Sequence, residues 1–426
     1  MYQIEAWSAL RKARHDRRRD RSWFSVSRNV WALGVTSLFT DIASEMVGTV
    51  LPIYLVLHLG LTPFHYGIVD GLYHGVTALL RLFSGVVVDR SNRCKELAFV
   101  GYGVSAVSRL GLLFAGVSWP LIASVVAVDR AAKGLRTVPR DVLISLSSQP
   151  ATLATSFGVH RALDSAGAML GPLVALAILA ALPEAFDVVF VCSFSVAVCG
   201  VGVLVFFVRN PKSRAAVPET GGGLSPLFEF RRGLQDPRLL RLTVAATLLS
   251  AATVSDGFIY LVLQDQVGFN AGLFPLLYVG TSASYLALAV PAGRLADRVG
   301  RRTALLTGYC FLALSYLLTM QPDIGITGLV GCLLLLGTHY ALTDGVLMAF
   351  ASGFLPIDRR GTGLAALTTA TSLTRLGASV IFGVLWTQLG LRVALAVFAV
   401  GLLLAVSFAF FIVERDTTRD VDSDAR

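Results

Sequence analysis

The chain has 426 residues, of which 55% are hydrophobic and 15% charged, with a mean hydropathy of +0.69. That much apolar surface excludes a set of soluble domains and has to face lipid. The net charge of +9 does not point to nucleic acid, because the basic residues sit in short loops between apolar runs, where the positive-inside rule expects them.

Residues 1–29 read as a cytoplasmic basic tail, densest from Arg11 to Arg21, with arginines where a signal peptide needs an apolar core. Ile4, Trp7 and Leu10 have the spacing of a short interfacial helix, and a disordered tail is the plainer reading. Spanning a bilayer takes roughly 20 apolar residues as helix. Stretches of that kind cover 30–58, 64–88, 96–117, 119–139, 153–181, 186–208, 239–264, 271–294, 302–320, 324–350, 361–388 and 391–413. The predicted fold is therefore an all-α membrane protein of twelve transmembrane helices. One six-helix bundle lies in 30–208 and a second in 239–413. Between them, residues 209–238 hold Pro211, Pro218, Pro226, Pro237 and the run Gly221-Gly222-Gly223, which reads as a cytoplasmic linker.

An even number of spans puts both termini on one side. Lysine and arginine crowd the N-terminal tail, 89–95, 133–140, 209–241, 294–302 and Arg359-Arg360, whereas the opposite loops offer only Arg392. Both termini, including the tail 414–426, are thus expected in the cytoplasm, with the chain in the cell membrane. Two repeated bundles are the plan of transporters whose halves rock about a central site.

Ionisable residues inside apolar spans are costly and need a partner, a watery cavity or a task. In the first span Asp41 and Glu45 are four apart and share a face, Asp41 about 18 Å deep by helical rise. Two acids this close suit a proton carrier, or else a structural ion pair with an arginine of another helix. The second span carries Asp70, His74 and Arg81 as one polar stripe, and the third holds Arg109. In the fourth, Asp129 and Lys133 have the spacing of an i,i+4 pair, and Pro139 bends or ends the helix. The fifth contains His160, Arg161 and Asp164, then Gly167, Gly171 and Pro172. Farther on, Asp256 sits near an outer end as a gate or interfacial residue, and Asp344 is a further acid. Arg375 at mid-span pairs with an acid or binds an anionic group of a cargo. His339 relays protons or is a satisfied core histidine. Phe39, Tyr54, Tyr73, Tyr260, Tyr278, Tyr285 and Trp386 are candidates for an apolar pocket, packing being the commoner role. Cys192 and Cys199 read as small buried hydrophobes.

Two basic turns echo one another across 208 positions. One is Gly85-Val86-Val87-Val88-Asp89-Arg90-Ser91-Asn92-Arg93-Cys94-Lys95, the other Gly293-Arg294-Leu295-Ala296-Asp297-Arg298-Val299-Gly300-Arg301-Arg302. The glycine four residues before the aspartate permits close helix approach, and Gly300 permits a left-handed turn. The pattern resembles the loop 2–3 and loop 8–9 signature of the major facilitator superfamily, from which the first copy departs at Asn92 and Cys94. Arg130 followed by Gly134 resembles that superfamily's helix-4 arginine motif, associated with coupling in proton-driven members. Gly158, Gly167 and Gly171-Pro172 resemble the helix-5 signature of the drug/proton antiporter branch, with Ala175-Leu176 where a glycine pair is expected. SLFTDIASEMVGTVLPIYL from Ser37 to Leu55, with Asp129–Asp141 and His160–Pro172, also resembles a bacterial facilitator subgroup of largely undefined substrates.

No phosphate-binding loop, HExxH, paired-cysteine metal site or nucleophile elbow occurs, so no enzyme, cofactor or metal is expected. The resemblance implies transport but no named cargo; the acid pair and the partial helix-5 signature point to a proton-coupled exporter of a small organic compound, expected as a monomer in the lipid bilayer. Its proton-coupling set is Asp41, Glu45, Arg130, Arg161 and Asp164. Its cavity candidates are Asp70, His74, Arg81, Arg109, His339 and Arg375, and the two basic turns serve as the cytoplasmic gate. The five arginines Arg81, Arg109, Arg130, Arg161 and Arg375 support the alternative of an organic-anion importer or exchanger. A receptor or scaffold that moves nothing is the third reading.

Overall fold

The computed structural model describes residues 26–91, 93–149, 152–210, 236–355 and 360–413. The expected interfacial helix at Ile4, Trp7 and Leu10, most of the 209–238 linker and the 414–426 tail lie outside the described residues. Among the described residues the chain forms thirteen α-helices and no strand.

Helix α1 (Arg28–Ile53) starts at Ser27, whose hydroxyl accepts from the Val30 N–H at 3.3 Å. Pro52 has no N–H to give the ladder, and the helix then widens into a π-helical turn, Tyr54–His58. There follow α2 (Pro63–Ser91), α3 (Cys94–Ala115), α4 (Trp119–Leu146), α5 (Leu153–Ala181) and α6 (Phe186–Phe207). Pro139 neither ends nor stops α4, which runs through it to Leu146.

The single span expected over 239–264 is in fact two helices, α7 (Pro237–Ala251) and α8 (Asp256–Val267). The β-branched pair Thr253-Val254 precedes Ser255-Asp256-Gly257, a helix-start sequence in mid-span. The backbone groups freed there are not orphaned. The Tyr316 hydroxyl accepts from the Val254 N–H at 2.7 Å and donates to the Ala252 carbonyl at 3.2 Å. The chain continues as α9 (Pro275–Val299), α10 (Arg301–Thr319), α11 (Gly325–Gly353), α12 (Arg360–Leu389) and α13 (Leu391–Ile412).

Among the described residues, nine stretches are long and apolar enough to cross a membrane. Their outward faces are apolar: Phe114, Phe206 and Phe411 are 81%, 81% and 85% exposed. Cys199, expected inside, is exposed on α6.

Helices α1 to α6 pack among themselves, chiefly α1 on α5 and α6, and α4 on α2 and α3. Helices α7 to α13 do likewise, with α11 against α9 and α10, and α12 against α7 and α13. The two groups meet along α2–α12 and α5–α9. Glycines make the first seam possible: a Cβ on Gly67 would lie 2.5 Å from the Ser379 carbonyl, and one on Gly383 2.6 Å from that of Pro63. The seam is tied by the Phe64 N–H donating to Thr387 Oγ1 at 3.0 Å. These ties lie toward the end of the molecule that carries residues 59–63.

Candidate functional site

A cavity of about 260 Å³ lies between the two groups of helices. Helix α2 supplies Tyr66, Asp70, Tyr73 and His74, spaced so that one helical face presents all four. Helix α1 adds Glu45, the unwound break adds Thr253 to Ser255, and α8 opens onto the cavity with Asp256 and Gly257. Tyr278, Tyr340, Arg375 and Ser379 complete the wall from α9, α11 and α12.

Asp70 is the most heavily bonded group in it. Its Oδ1 accepts from the Ser255 hydroxyl at 2.8 Å and the Tyr66 hydroxyl at 3.2 Å, and its Oδ2 from the Ser379 hydroxyl at 2.6 Å. His74 Nε2 stands 3.8 Å away. One carboxylate thus ties α2 to the break and to α12. Asp256 accepts from the Tyr340 hydroxyl at 2.8 Å. It is part of the cavity wall and not an interfacial residue, because the break turns the start of α8 inward. Arg375, by contrast, hydrogen-bonds to nothing and ion-pairs with nothing among the described residues, although Asp344 and Asp256 contribute to the field around it. Glu45 faces the Tyr73 hydroxyl and has no ion pair among the described residues.

A second cluster lies behind Tyr73. Asp129 is paired to its neighbour Arg130, with Nε at 2.8 Å from Oδ2 and a second contact through Nη2. Ser105 Oγ donates to Asp129 Oδ1 at 2.5 Å, and Arg109 Nη2 stands 3.8 Å from the same oxygen. Arg130 Cζ lies 3.9 Å over the Tyr73 ring centroid. The expected pair Asp129–Lys133 does not form, since Asp129 is drawn to two arginines and Lys133 instead reaches Asp41 at 3.7 Å. Arg109, expected in the cavity, is buried here, donating to the Ser105 carbonyl at 2.6 Å and to Ser44 Oγ at 2.9 Å.

A third cluster joins α1, α4 and α5. The carboxyl groups of Asp41 and Asp164 lie within hydrogen-bonding reach of each other. Arg140 Nη1 is 3.7 Å and Arg161 Nη1 3.5 Å from Asp164, yet the buried Asp164 Oδ1 accepts no hydrogen bond. Ser37 Oγ bonds His160 Nε2 at 2.9 Å. So Asp41 and Glu45 share an inward face, but Asp41 turns to this cluster and Glu45 to the cavity.

Three further expectations change. Arg81 is exposed and is not among the residues lining the cavity. His339 bonds the Gly308 carbonyl through Nδ1 at 3.0 Å and sits edge-on to Tyr309, as a satisfied core histidine does. Arg161 has a side chain 78% exposed, so it borders its cluster from outside. In α5, a Cβ on Gly167 would lie 2.5 Å from the Leu38 carbonyl and one on Gly171 2.7 Å from that of Ile42, while Gly158 meets nothing. Pro172 lies within α5.

At the basic turns, the side chains of Gly85, Asp89 and Arg90 lie outside what is described, and Arg93 precedes α3. Gly293 meets nothing within 4 Å, contrary to the expected close approach. Gly300 has φ of +95° and joins α9 directly to α10. Asp297 and Arg298 are exposed, and Arg301 Nη1 donates to the Ala349 carbonyl on α11 at 3.1 Å.

Ser255, Tyr340 and Ser379 were not legible as site residues, and Asp256 was legible only as a gate or interfacial residue. The one available signal was the helix-start sequence Ser255-Asp256-Gly257 inside an apolar run. Of the aromatic candidates, Tyr73 and Tyr278 line the cavity, whereas Tyr54 packs against Phe190 and Tyr260 bonds Thr281.

The family model described as Major Facilitator Superfamily matches residues 33–280 and 257–426. A protein of Methanocaldococcus jannaschii named as an uncharacterized MFS-type transporter is 31% identical over 378 residues, covering 85% of this chain and 89% of its own. The chain belongs to the major facilitator superfamily. A protein of Mycobacterium tuberculosis is 25% identical over 366 residues, covering 85% of this chain and 87% of that protein. The facilitator fold is shared with solved structures: the nucleoside transporter NupG has a TM-score of 0.73 at 13% identity, covering 91% of this chain and 98% of that one. A bacterial homologue of the human lysosomal transporter Spinster gives 0.72 at 16%, covering 92% and 97%. As a facilitator, the chain is a multi-pass membrane protein.

Proposed function

We propose that this facilitator is a secondary active transporter working by alternating access, which exports a small organic compound in exchange for protons. The α1–α6 group and the α7–α13 group act as two six-span halves, with α7 and α8 forming one interrupted span, which gives twelve. Both termini lie in the cytoplasm. The tied end at 59–63 is then the outer end, and the described conformation is closed to the outside. The observation that carries this reading is one cavity walled by both groups, with the acid Glu45 of α1 on its wall. Asp41, Glu45 and Asp164 take up and release the proton, Arg130 and Arg161 act as charge partners, and the two basic turns work the cytoplasmic gate. Solved relatives named for nucleosides and peptides support a small polar cargo.

The test is to reconstitute the chain in inverted vesicles with an imposed proton gradient and to score a compound panel for collapse of that gradient. Asp41→Asn should yield folded protein that cannot concentrate cargo. Full gradient-driven activity in that variant would exclude Asp41 as carrier.

Arg375 favours a second reading, exchange or import of an organic anion, since a guanidinium facing the cavity without a counter-ion suits a carboxylate or phosphate. Competition by anionic but not cationic compounds in vesicle uptake would select it.

A further inference from the structure

The charges around the cavity are unequal in how they are satisfied, and the inequality describes a ligand. Asp70 already accepts three hydroxyl hydrogen bonds, and Asp256 accepts one from Tyr340. Arg130 is committed to Asp129, and Lys133 stands beside Asp41. Apart from Asp256, whose carboxylate accepts from the neutral Tyr340 hydroxyl, two ionisable groups on the wall keep no oppositely charged partner within ion-pair distance among the described residues: Glu45 on α1 and Arg375 on α12. They belong to different helix groups, and the opposite charges that act on each are others, Lys133 and Arg130 on Glu45 and Asp344 and Asp256 on Arg375, none of them within ion-pair distance. They therefore face one cavity without neutralising each other. Charged groups held out of bulk water without a partner are costly. A ligand carrying both complementary charges relieves both at once, and a singly charged ligand relieves only one.

We propose that this cavity binds a small zwitterion, its anionic group on Arg375 and its cationic group between Glu45 and the Tyr278 ring. Arg375 offers a planar fork of five N–H donors, which matches a carboxylate in bidentate fashion. Tyr278 adds a ring that attracts an ammonium group, whereas the Tyr73 ring already carries Arg130 on one face. The volume of about 260 Å³ falls just below the usual range for drug-sized ligands, roughly 300–1,000 Å³, so the solute is of amino-acid size rather than a lipid or a bulky drug. The inference rests on the transport reading only in taking the cavity as the cargo site.

The probe is the purified full chain in detergent, its thermal unfolding followed against a series of unbranched amino acids from glycine through aminohexanoic acid. Matched monocarboxylic acids and monoamines of the same lengths are run beside them. At least one zwitterion should stabilise the protein, at a half-saturating concentration about tenfold or more below that of either singly charged mate. Arg375→Gln should abolish the advantage over the amine, and Glu45→Gln the advantage over the acid. Arg375→Lys keeps the charge without the fork and should retain part of the effect. Unfolding of each ligand-free variant reports whether it is folded, and the wild-type ranking needs no variant at all. A singly charged compound equal to its zwitterion, or no stabilisation by any zwitterion, overturns the proposal. Binding without flux in vesicles would leave it standing and remove the transport reading. Flux of singly charged compounds alone would do the reverse.

Discussion

Ser379 on α12 donates a 2.6 Å hydrogen bond to Asp70 on α2, across the seam between the two groups of helices. The same carboxylate is held from the helix break by Ser255 at 2.8 Å. On the alternating-access reading proposed above, these contacts break on every cycle and the triad sets how long one end stays shut.

Ser379→Ala removes one of the bonds on a buried carboxylate, a loss of roughly 1–3 kcal/mol. Hydrogen–deuterium exchange in the first two turns of α2, residues 63–70, should then rise roughly tenfold, as the seam opens more often. Unchanged protection there would mean that the glycine packing alone holds the seam.

Asp129 is the shared acid for Arg109 and Arg130. Asp129→Asn leaves two buried guanidinium groups without it and should cost roughly 3–5 kcal/mol, seen as a clear fall in unfolding temperature in detergent. The exposed Asp297→Asn on α9 serves as the control and should change stability by less than about 0.5 kcal/mol.

Gly171 and Gly158 occupy one motif and should behave differently. Gly171→Val drives side-chain atoms into the Ile42 carbonyl and Glu45 Cβ, a cost of roughly 1–3 kcal/mol or more. Gly158→Ala meets nothing and should be neutral or slightly stabilising, within about 1 kcal/mol, since α5 is helical there. Equal losses at the two sites would refute the packing account of that motif.

Tyr316→Phe deletes the one hydroxyl that serves both the Val254 N–H and the Ala252 carbonyl. Two backbone groups at the break lose their partner, so the variant should unfold more readily by roughly 1–3 kcal/mol. Exchange should rise first at residues 252–255. If the break instead stayed as protected as in the unaltered chain, another group would have to be satisfying it.

The sequence alone determined what the solvent demands of the chain. Apolar runs of bilayer length, basic loops between them and a twice-occurring turn pointed to an all-helical facilitator, because lipid constrains composition residue by residue. Helical spacing also placed Asp70, His74 and Glu45 on inward faces. Only the tertiary structure decided which inward charge met which. Asp129 had Lys133 within i,i+4 reach and took instead Arg130, the next residue on its own helix, and Arg109 on α3, a partner on a neighbouring helix that spacing does not show. His339 and Arg109 went into packed interiors while Asp256 turned to the cavity, because the break at 252–255 depends on a tyrosine hydroxyl more than sixty residues away. Periodicity fixes the face a side chain occupies; the rotation and contacts of the surrounding helices fix what lies opposite it.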